Sequence, residues 1–216
     1  MKRRPAMITM TLAALGLGCG GKAKEISDGT SALGAIVQSA NAITESAKEA
    51  DKFMADRRTK GDTIAMPYKD LEAFLPASLS GYTADGGATG QSMNMGQFSM
   101  TTAEQKFVTG TDPDVSRVHV TIADYSGSSA GYGMMAPFMM MNMSSEDDHH
   151  RSGTVQMQMP YTFGMAEYNK DDKDAKMTVG TRFRYFITVE ASGQKGDESK
   201  LVADIATDIA KKFANK

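Results

Sequence analysis

The chain has 216 residues, with 24 basic and 26 acidic side chains and a formal charge of −2 at pH 7. This balance argues against nucleic acid as a partner, because nucleic-acid-binding domains carry a basic patch or stripe. The length allows one hydrophobic core, to which the 18 methionines contribute apolar volume in a chain without tryptophan. The single cysteine excludes an internal disulfide.

The first 20 residues have the layout of a secretory signal. A basic segment, residues 2–4, precedes the apolar run Met7–Leu17, which is followed by Gly18 and Cys19. The run is shorter than the roughly 20 apolar residues that a membrane-spanning helix needs. The residues around Cys19 resemble the lipobox of bacterial lipoproteins. Gly18 fits that pattern, whereas Gly16 stands where the family usually has leucine.

This resemblance implies that residues 1–18 are a signal peptide and that Cys19 becomes the lipid-modified first residue. A chain beginning at Cys19 has a formal charge of about −5, so we expect the lipid alone to make the membrane contact. Gly20 in place of aspartate favours the outer membrane, with the protein facing the periplasm. An ordinary signal peptide or an uncleaved anchor is the alternative.

A tether and a helix are predicted to follow the anchor. Residues 19–30 are glycine-rich and polar, which is typical of a flexible linker. From residue 31 to residue 58 apolar side chains recur at spacings of three and four, which predicts a long helix with Ser31 as its N-cap. The apolar stripe is weak and alanine-rich, so we expect this helix to pack partly on the domain. Residues 61–216 are predicted to form a single domain.

The pattern within residues 61–216 predicts short helices and strands. Helices are expected at Tyr68–Pro76, Met134–Met143 and Asp197–Ala214. Strands are expected at Thr89–Met100 (with Gly96 as a bulge), Val115–Tyr125, Thr154–Met159, Tyr161–Tyr168, Lys176–Val179 and Thr181–Ala191. Ser144–Gly153 is predicted to be a polar loop and Asn169–Asp174 a charged turn.

Consecutive strands joined by short turns indicate an antiparallel sheet. The predicted fold class is α+β, mainly an antiparallel sheet with helices packed on one face, preceded by a long N-terminal helix. The layout resembles the PsbP-like α/β sandwich over Tyr68–Phe213. The residues that carry this resemblance are Leu75–Pro76, Gly81–Tyr82, Ile122–Asp124, Met134–Met141, Arg182–Glu190 and the final helix. It implies a binding or assembly module and carries across no catalytic residues.

One motif suggests nucleophilic catalysis. Gly127–Gly131 has the G-x-S-x-G form around Ser129, between a predicted strand and a predicted helix. A hydrolase of that class also needs a parallel sheet and a histidine late in the chain, but the last histidine is His150. The interpretation that we favour is a flexible connection.

Two other polar residues are given structural roles. Asp124, at the end of the preceding strand, is interpreted as a turn cap, and His119 in that strand is interpreted as a surface or half-buried side chain.

A second group of residues suggests metal binding. His149 and His150 follow a methionine-rich segment that contains Met139, Met140 and Met143. Thioethers suit Cu(I), and imidazole suits copper and zinc. However, consecutive methionines on a helix point in different directions, and methionine is ordinary core filling.

The sequence therefore predicts a lipid-anchored protein of the cell envelope that acts as a non-catalytic binding or assembly module. The expected partners are the membrane, through the lipid at Cys19, and an envelope protein, with no cofactor. Copper binding through the methionine-rich segment with His149 and His150 is the alternative. A serine hydrolase at Ser129 is the second alternative.

Overall fold

The computed structural model describes residues 44–45, 47–96, 98–110, 115–126, 143–193 and 198–214. These belong to one compact unit, residues 39–216. Several predicted segments lie outside the described residues: the signal peptide, the tether and residues 31–43 of the long N-terminal helix. Residues 134–142 of the predicted helix Met134–Met143 also lie outside them.

Three helices and nine strands make up the described part of the chain. The helices are residues 47–59 (α1), Tyr68–Glu72 (α2) and Glu198–Ala214 (α3). The strands are Thr83–Ala84 (β1), Thr89–Met95 (β2), Phe98–Thr109 (β3), Ser116–Asp124 (β4), Ser144–Glu146 (β5), His150–Gln156 (β6), Thr162–Asn169 (β7), Asp174–Thr181 (β8) and Tyr185–Ser192 (β9).

All nine strands form one antiparallel sheet in the order β1-β3-β4-β9-β8-β7-β6-β5, and β2 pairs with the same edge of β3 as β1 does. The predicted class, α+β with a mainly antiparallel sheet, is confirmed. β4 and β9 lie at the centre, with Val120 opposite Val189 and Ile122 opposite Ile187. These four β-branched side chains are buried in the main core, which suits residues with a high strand propensity.

The main core lies between one face of the sheet and the helices α2 and α3. Val118, Val120 and Ile122 alternate along β4 and are fully buried there. From α3, side chains at spacings of three and four fill the other side: Val202, Ile205, Ala206, Ile209, Ala210 and Phe213. The ring of Phe213 stacks between two others, with centroid distances of 4.2 Å to both Phe74 and Tyr185.

The helix α1 packs against the opposite face, at one end of the sheet. Ala123 and Phe186 are cross-strand partners that point away from the main core. Ala50 and Phe53 of α1 cover them, together with Phe183. The expectation that the helices of the domain pack on one face therefore holds for α2 and α3. The helix α1 is the end of the predicted N-terminal helix, and it packs on the other face because that face has an apolar patch of its own.

Three local predictions need correction. Thr89–Met100 is two strands, because Gly96 adopts a φ of +61° in a hairpin turn and is not a bulge. Ser144–Gly153 is mostly the β5–β6 hairpin; its turn is closed by the Asp147 carboxylate, which accepts the backbone N–H groups of His149 and His150 at 2.8 and 2.6 Å. The predicted strand Thr181–Ala191 begins with a turn, and β9 starts only at Tyr185.

Candidate functional site

Four ionised side chains form a continuous chain at the end of the sheet where α1 crosses it. Arg57 on α1 donates its Nε–H to Asp62 Oδ2 at 3.1 Å. Asp62 accepts Arg184 Nη1 with both carboxylate oxygens, at 2.9 and 2.8 Å. Arg184 then donates Nε–H and Nη2–H to Asp124 at 2.7 and 2.8 Å. We call Arg57, Asp62, Arg184 and Asp124 the ion chain. It joins α1, the segment after it, β4 and the turn before β9.

Asp124 is the most buried member of the ion chain, with no exposed surface. Besides Arg184, its carboxylate accepts the backbone N–H groups of Met66 and Ser126, at 2.8 and 3.0 Å. Four donors thus surround its two oxygens, which satisfies a buried carboxylate. The predicted role as a turn cap is confirmed by the Ser126 bond, but the ion pair is an additional role. With its acceptor sites occupied, Asp124 is suited to holding structure and not to moving protons.

The charges of the ion chain stabilise one another. Burial alone would raise the pKa of Asp62, but the charge of Arg184 and the hydrogen bonds from Arg57 and Arg184 outweigh it and lower that pKa. Burial would lower the pKa of Arg184, yet the hydrogen bonds and charge of Asp124 raise it above its usual value. The pKa of Tyr185, whose ring lies 4.9 Å from the Arg184 guanidinium, is raised by burial.

The turn between β8 and β9 lies beside the ion chain and is strained. Arg182 and Phe183 both adopt positive φ angles, 55° and 49°, in a turn closed by the bond from Arg184 N–H to Thr181 O at 3.2 Å. Left-handed backbone costs a non-glycine residue about 1–2 kcal/mol. The rings of Phe53, Tyr161 and Phe183 compensate by forming a triangle, with centroids 5.6–6.1 Å apart. The Arg182 guanidinium lies 5.6 Å from the Phe53 ring, within the range of a cation–π contact.

These elements enclose a cleft of about 640 Å³, which we call the α1 cleft. Its lining residues are Phe53, Asp56, Arg57, Lys60, Asp62, Ile64, Ala65, Met66, Pro67, Arg182, Arg184 and Tyr185. Lys60 and Asp56 form an ion pair of 2.8 Å, and the ion chain is internally neutral. Among the described residues no carboxylate pairs with Arg182. Ile64, at the mouth, is 65% exposed. The α1 cleft therefore combines apolar side chains, paired charges and one cation without a carboxylate partner among the described residues.

Of the residues predicted from sequence to form sites, Cys19, Ser129, Met139 and Met140 lie outside the described residues. The β4 strand that precedes Ser129 pairs antiparallel on both sides, which is not the parallel sheet that a nucleophile elbow needs.

The predicted metal-binding residues lie around the β5–β6 hairpin. Met143 is exposed before β5, and His150 begins β6. His149 is exposed, with Nδ1 2.7 Å from Asp171 Oδ2. In the described part of the chain, no group of three or more histidine, cysteine or acidic side chains is arranged to hold a metal ion.

His119 is half-buried, as predicted, on the sheet face opposite the main core. Its Nε2 lies 3.0 Å from Glu104 Oε2, and its Nδ1 lies 4.0 Å from Glu190 Oε2. Glu190 in turn pairs with Lys176 at 3.0 Å. This is a cross-strand polar ladder on a solvated surface.

Sequence reasoning missed Arg57, Asp62, Arg184 and Arg182. One signal was available, since Arg184 precedes an apolar strand, and a charged residue at a buried end needs a partner. The partner could not be read from the sequence, because Asp124 is 60 residues away.

Comparisons with known proteins give little that bears on this site. No family model matches the chain, and no curated protein matches it. One solved structure with some likeness is the extracellular domain of PknH from Mycobacterium tuberculosis, at 11% identity and a TM-score of 0.44. The match covers 71% of this chain and 100% of that one. The identity and the TM-score are too low to assign a fold family or a function. Among the described helices, none is long and apolar enough to cross a membrane.

Proposed function

We propose that the protein is a lipid-anchored protein of the cell envelope and that its folded unit binds a partner without catalysing a reaction. The observation that carries the binding role is the α1 cleft, where Arg182 lies among apolar side chains and charges that are already paired. Ligand sites typically combine a mostly apolar lining with a few polar groups that orient the ligand.

The state of the ionisable groups in the cleft favours binding over catalysis. A general acid or base needs a titratable group free to exchange a proton with substrate. Asp62 instead lies between Arg57 and Arg184. Asp124 pairs with Arg184 and also accepts two backbone N–H groups. Arg182 is the exception, and a guanidinium stays protonated at physiological pH. It can hold an anion but cannot relay a proton.

The chemistry of the cleft also indicates the class of ligand. A planar guanidinium held near an aromatic ring by a cation–π contact is well suited to a carboxylate or phosphate. The neighbouring Ile64, Pro67 and Phe53 offer apolar contact to whatever carries that anion. We therefore propose that the ligand is an anionic group on an apolar carrier, such as an acidic side chain within an apolar segment of an envelope protein.

Support for the anchor comes from the sequence around Cys19. In this proposal the lipid at Cys19 fixes the protein to the outer membrane on its periplasmic side, and residues 19–30 give the folded unit reach. Multiple acyl chains hold a protein stably, because each buried CH₂ contributes about 0.8 kcal/mol.

Photo-crosslinking in the intact envelope tests the binding role. A benzophenone amino acid replaces Ile64 at the mouth of the α1 cleft, and the matched control position is the exposed Asp171 on the β7–β8 turn. We expect a discrete crosslinked product from position 64 and none from position 171. Adding Arg182→Gln should abolish the product, because glutamine keeps a long polar side chain but removes the cation. Equal products from both positions, or a product that is insensitive to Arg182→Gln, would contradict the proposed site.

A further inference from the structure

The two edges of the sheet are protected to very different degrees. An exposed edge strand presents unpaired backbone groups, and proteins commonly blunt such edges with short strands, charges, proline or bulges. At one edge, β5 has only three residues and leads into the acidic segment Glu146–Asp148. At the other edge, β2 has seven residues, Thr89–Met95, with no charge, no proline and regular pairing to β3 throughout.

In the described part of the chain, no strand pairs with the outer side of β2. Every residue of the strand is exposed, and among the described strands only β3 pairs with it. On one face of the sheet the strand presents Thr89, Gln91, Met93 and Met95, of which Met95 is 63% exposed. On the other face it presents only Gly90, Ser92 and Asn94. A strand of this length offers about 20 Å of unpaired backbone.

We propose that β2 pairs with the β2 strand of a second copy of this chain, antiparallel about a two-fold axis through Ser92. Two copies of β2 can lie side by side without electrostatic repulsion, because the strand carries no charged side chain. Pairing about Ser92 places Met93 opposite the Gln91 position and brings the two copies of Met93 together on the diagonal, where long side chains make contact. On the other face Gly90 lies opposite the Asn94 position and leaves it room. The two sheets then continue into one.

The pairing is expected to be weak in dilute solution. One strand on each side buries less surface than the roughly 1,200 Å² of a stable complex. A membrane anchor would raise the local concentration of the copies, but the strand pairing itself does not depend on the anchor.

Disulfide trapping tests the pairing directly. The full-length chain with Cys19→Ser has no thiol, so Ser92→Cys introduces a single reporter. Paired residues on antiparallel strands have Cα atoms about 4.5–5.5 Å apart, within the range that a disulfide bridges. We expect the Ser92→Cys chain to form a disulfide-linked dimer at least about tenfold faster than a Ser144→Cys control, in which the cysteine is also exposed, on β5.

A charge swap shows whether the strands pair in this register. Adding Met93→Lys to the Ser92→Cys chain should abolish the fast dimer, because two lysines would then meet on the diagonal. Mixing that chain with one that carries Ser92→Cys and Met93→Glu should restore it as a mixed dimer. Recovery by mixing also shows that the substituted chains are folded.

Three results would overturn the proposal. In the first, the Ser92→Cys dimer forms no faster than the Ser144→Cys dimer. In the second, Met93→Lys leaves the fast trapping unchanged. In the third, Ser92→Cys traps a different protein in place of a second copy. The test is carried out in chains that lack the Cys19 thiol and leaves the α1 cleft unchanged, so failure of the pairing is distinguishable from failure of the proposed binding function.

Discussion

Asp124 shows how much of this structure depends on a single side chain. It lies at the end of the central strand β4 and binds both Arg184 and the backbone of the segment that follows α1. Burying a carboxylate is costly unless it is paired and hydrogen-bonded. Because Arg184 is also buried, removing either charge leaves the other without its main partner.

Asp124→Asn is therefore expected to lower the free energy of unfolding by about 3–5 kcal/mol, the usual cost of breaking a buried ion pair. Urea denaturation followed by circular dichroism measures the change. The matched control is Asp171→Asn, which breaks the exposed pair with His149 and should cost less than about 1 kcal/mol. Equal losses at the two positions would show that the Asp124 pair is no more important than a surface contact.

Asp62 makes part of the stability depend on pH. Its pKa in the folded protein lies below the unfolded value of 3.8, so the unfolded state takes up a proton first as the pH falls. The stabilisation is complete above pH 3.8 and is lost as the pH falls through the lower folded pKa. The difference in unfolding free energy between wild type and Asp62→Asn should thus be largest near neutral pH and shrink in acid. A difference that stays constant with pH, in urea titrations of both proteins, would contradict this role.

At the scale of elements, the helix α1 is held to the sheet chiefly at its C-terminal end. Phe53 packs on the apolar patch of the second sheet face, which Ala123, Phe183 and Phe186 form. Arg57 donates hydrogen bonds to Asp62 and to Ser126. The packing of Phe53 is non-directional, whereas the hydrogen bonds of Arg57 fix the helix in position. Arg58, the residue after Arg57, is exposed.

Arg57→Met should loosen α1 without unfolding the sheet. Hydrogen bonds to charged groups contribute about 1.5–3 kcal/mol, so we expect backbone hydrogen exchange across residues 47–59 to become at least about tenfold faster. Exchange in β4 and β9 should remain as slow as in the wild type. Arg58→Met, the control, should leave both regions unchanged. If Arg57→Met behaves like Arg58→Met, the ion chain does not fasten α1.

The elements that the sequence predicts correctly are those that bury one face. Along β4, alternating apolar residues predict the strand and its buried side, and the four-residue spacing from Leu201 to Phe213 predicts α3. The β5–β6 hairpin was missed because an edge strand buries little and its polar residues indicate a loop. The turn at Arg182 was missed because it contains no glycine, asparagine or proline, the residues that usually mark a turn.

The ion chain could not be predicted for a different reason. Its members lie between residue 57 and residue 184, and no local pattern links them. The alternation of apolar and polar residues predicts which side of a strand is buried, but it does not predict which two charged side chains form an ion pair across the fold. Of the four members, the sequence draws attention to Asp124, as a turn cap or a pocket-lining residue, and gives no indication of its ion pair.

At the scale of the whole molecule, charge is distributed unevenly. The chain is slightly acidic overall. Around the end of α1 and the β8–β9 turn, Arg57, Lys60 and Arg184 pair with acidic side chains, whereas no carboxylate among the described residues pairs with Arg182. Overall composition cannot reveal such a local cation. This is why the proposed ligand is a single anionic group and not a polyanion.

The proposed anchor determines which membrane and which partners the molecule meets, and mass spectrometry of the mature protein tests it most directly. The protein is purified in detergent from the membranes of the organism that makes it, and its intact mass and N-terminal peptide are measured. We expect a chain that begins at Cys19 and carries a diacylglyceryl group on its sulfur. A mature chain that begins at any other residue, or one with a free thiol at Cys19, would contradict it.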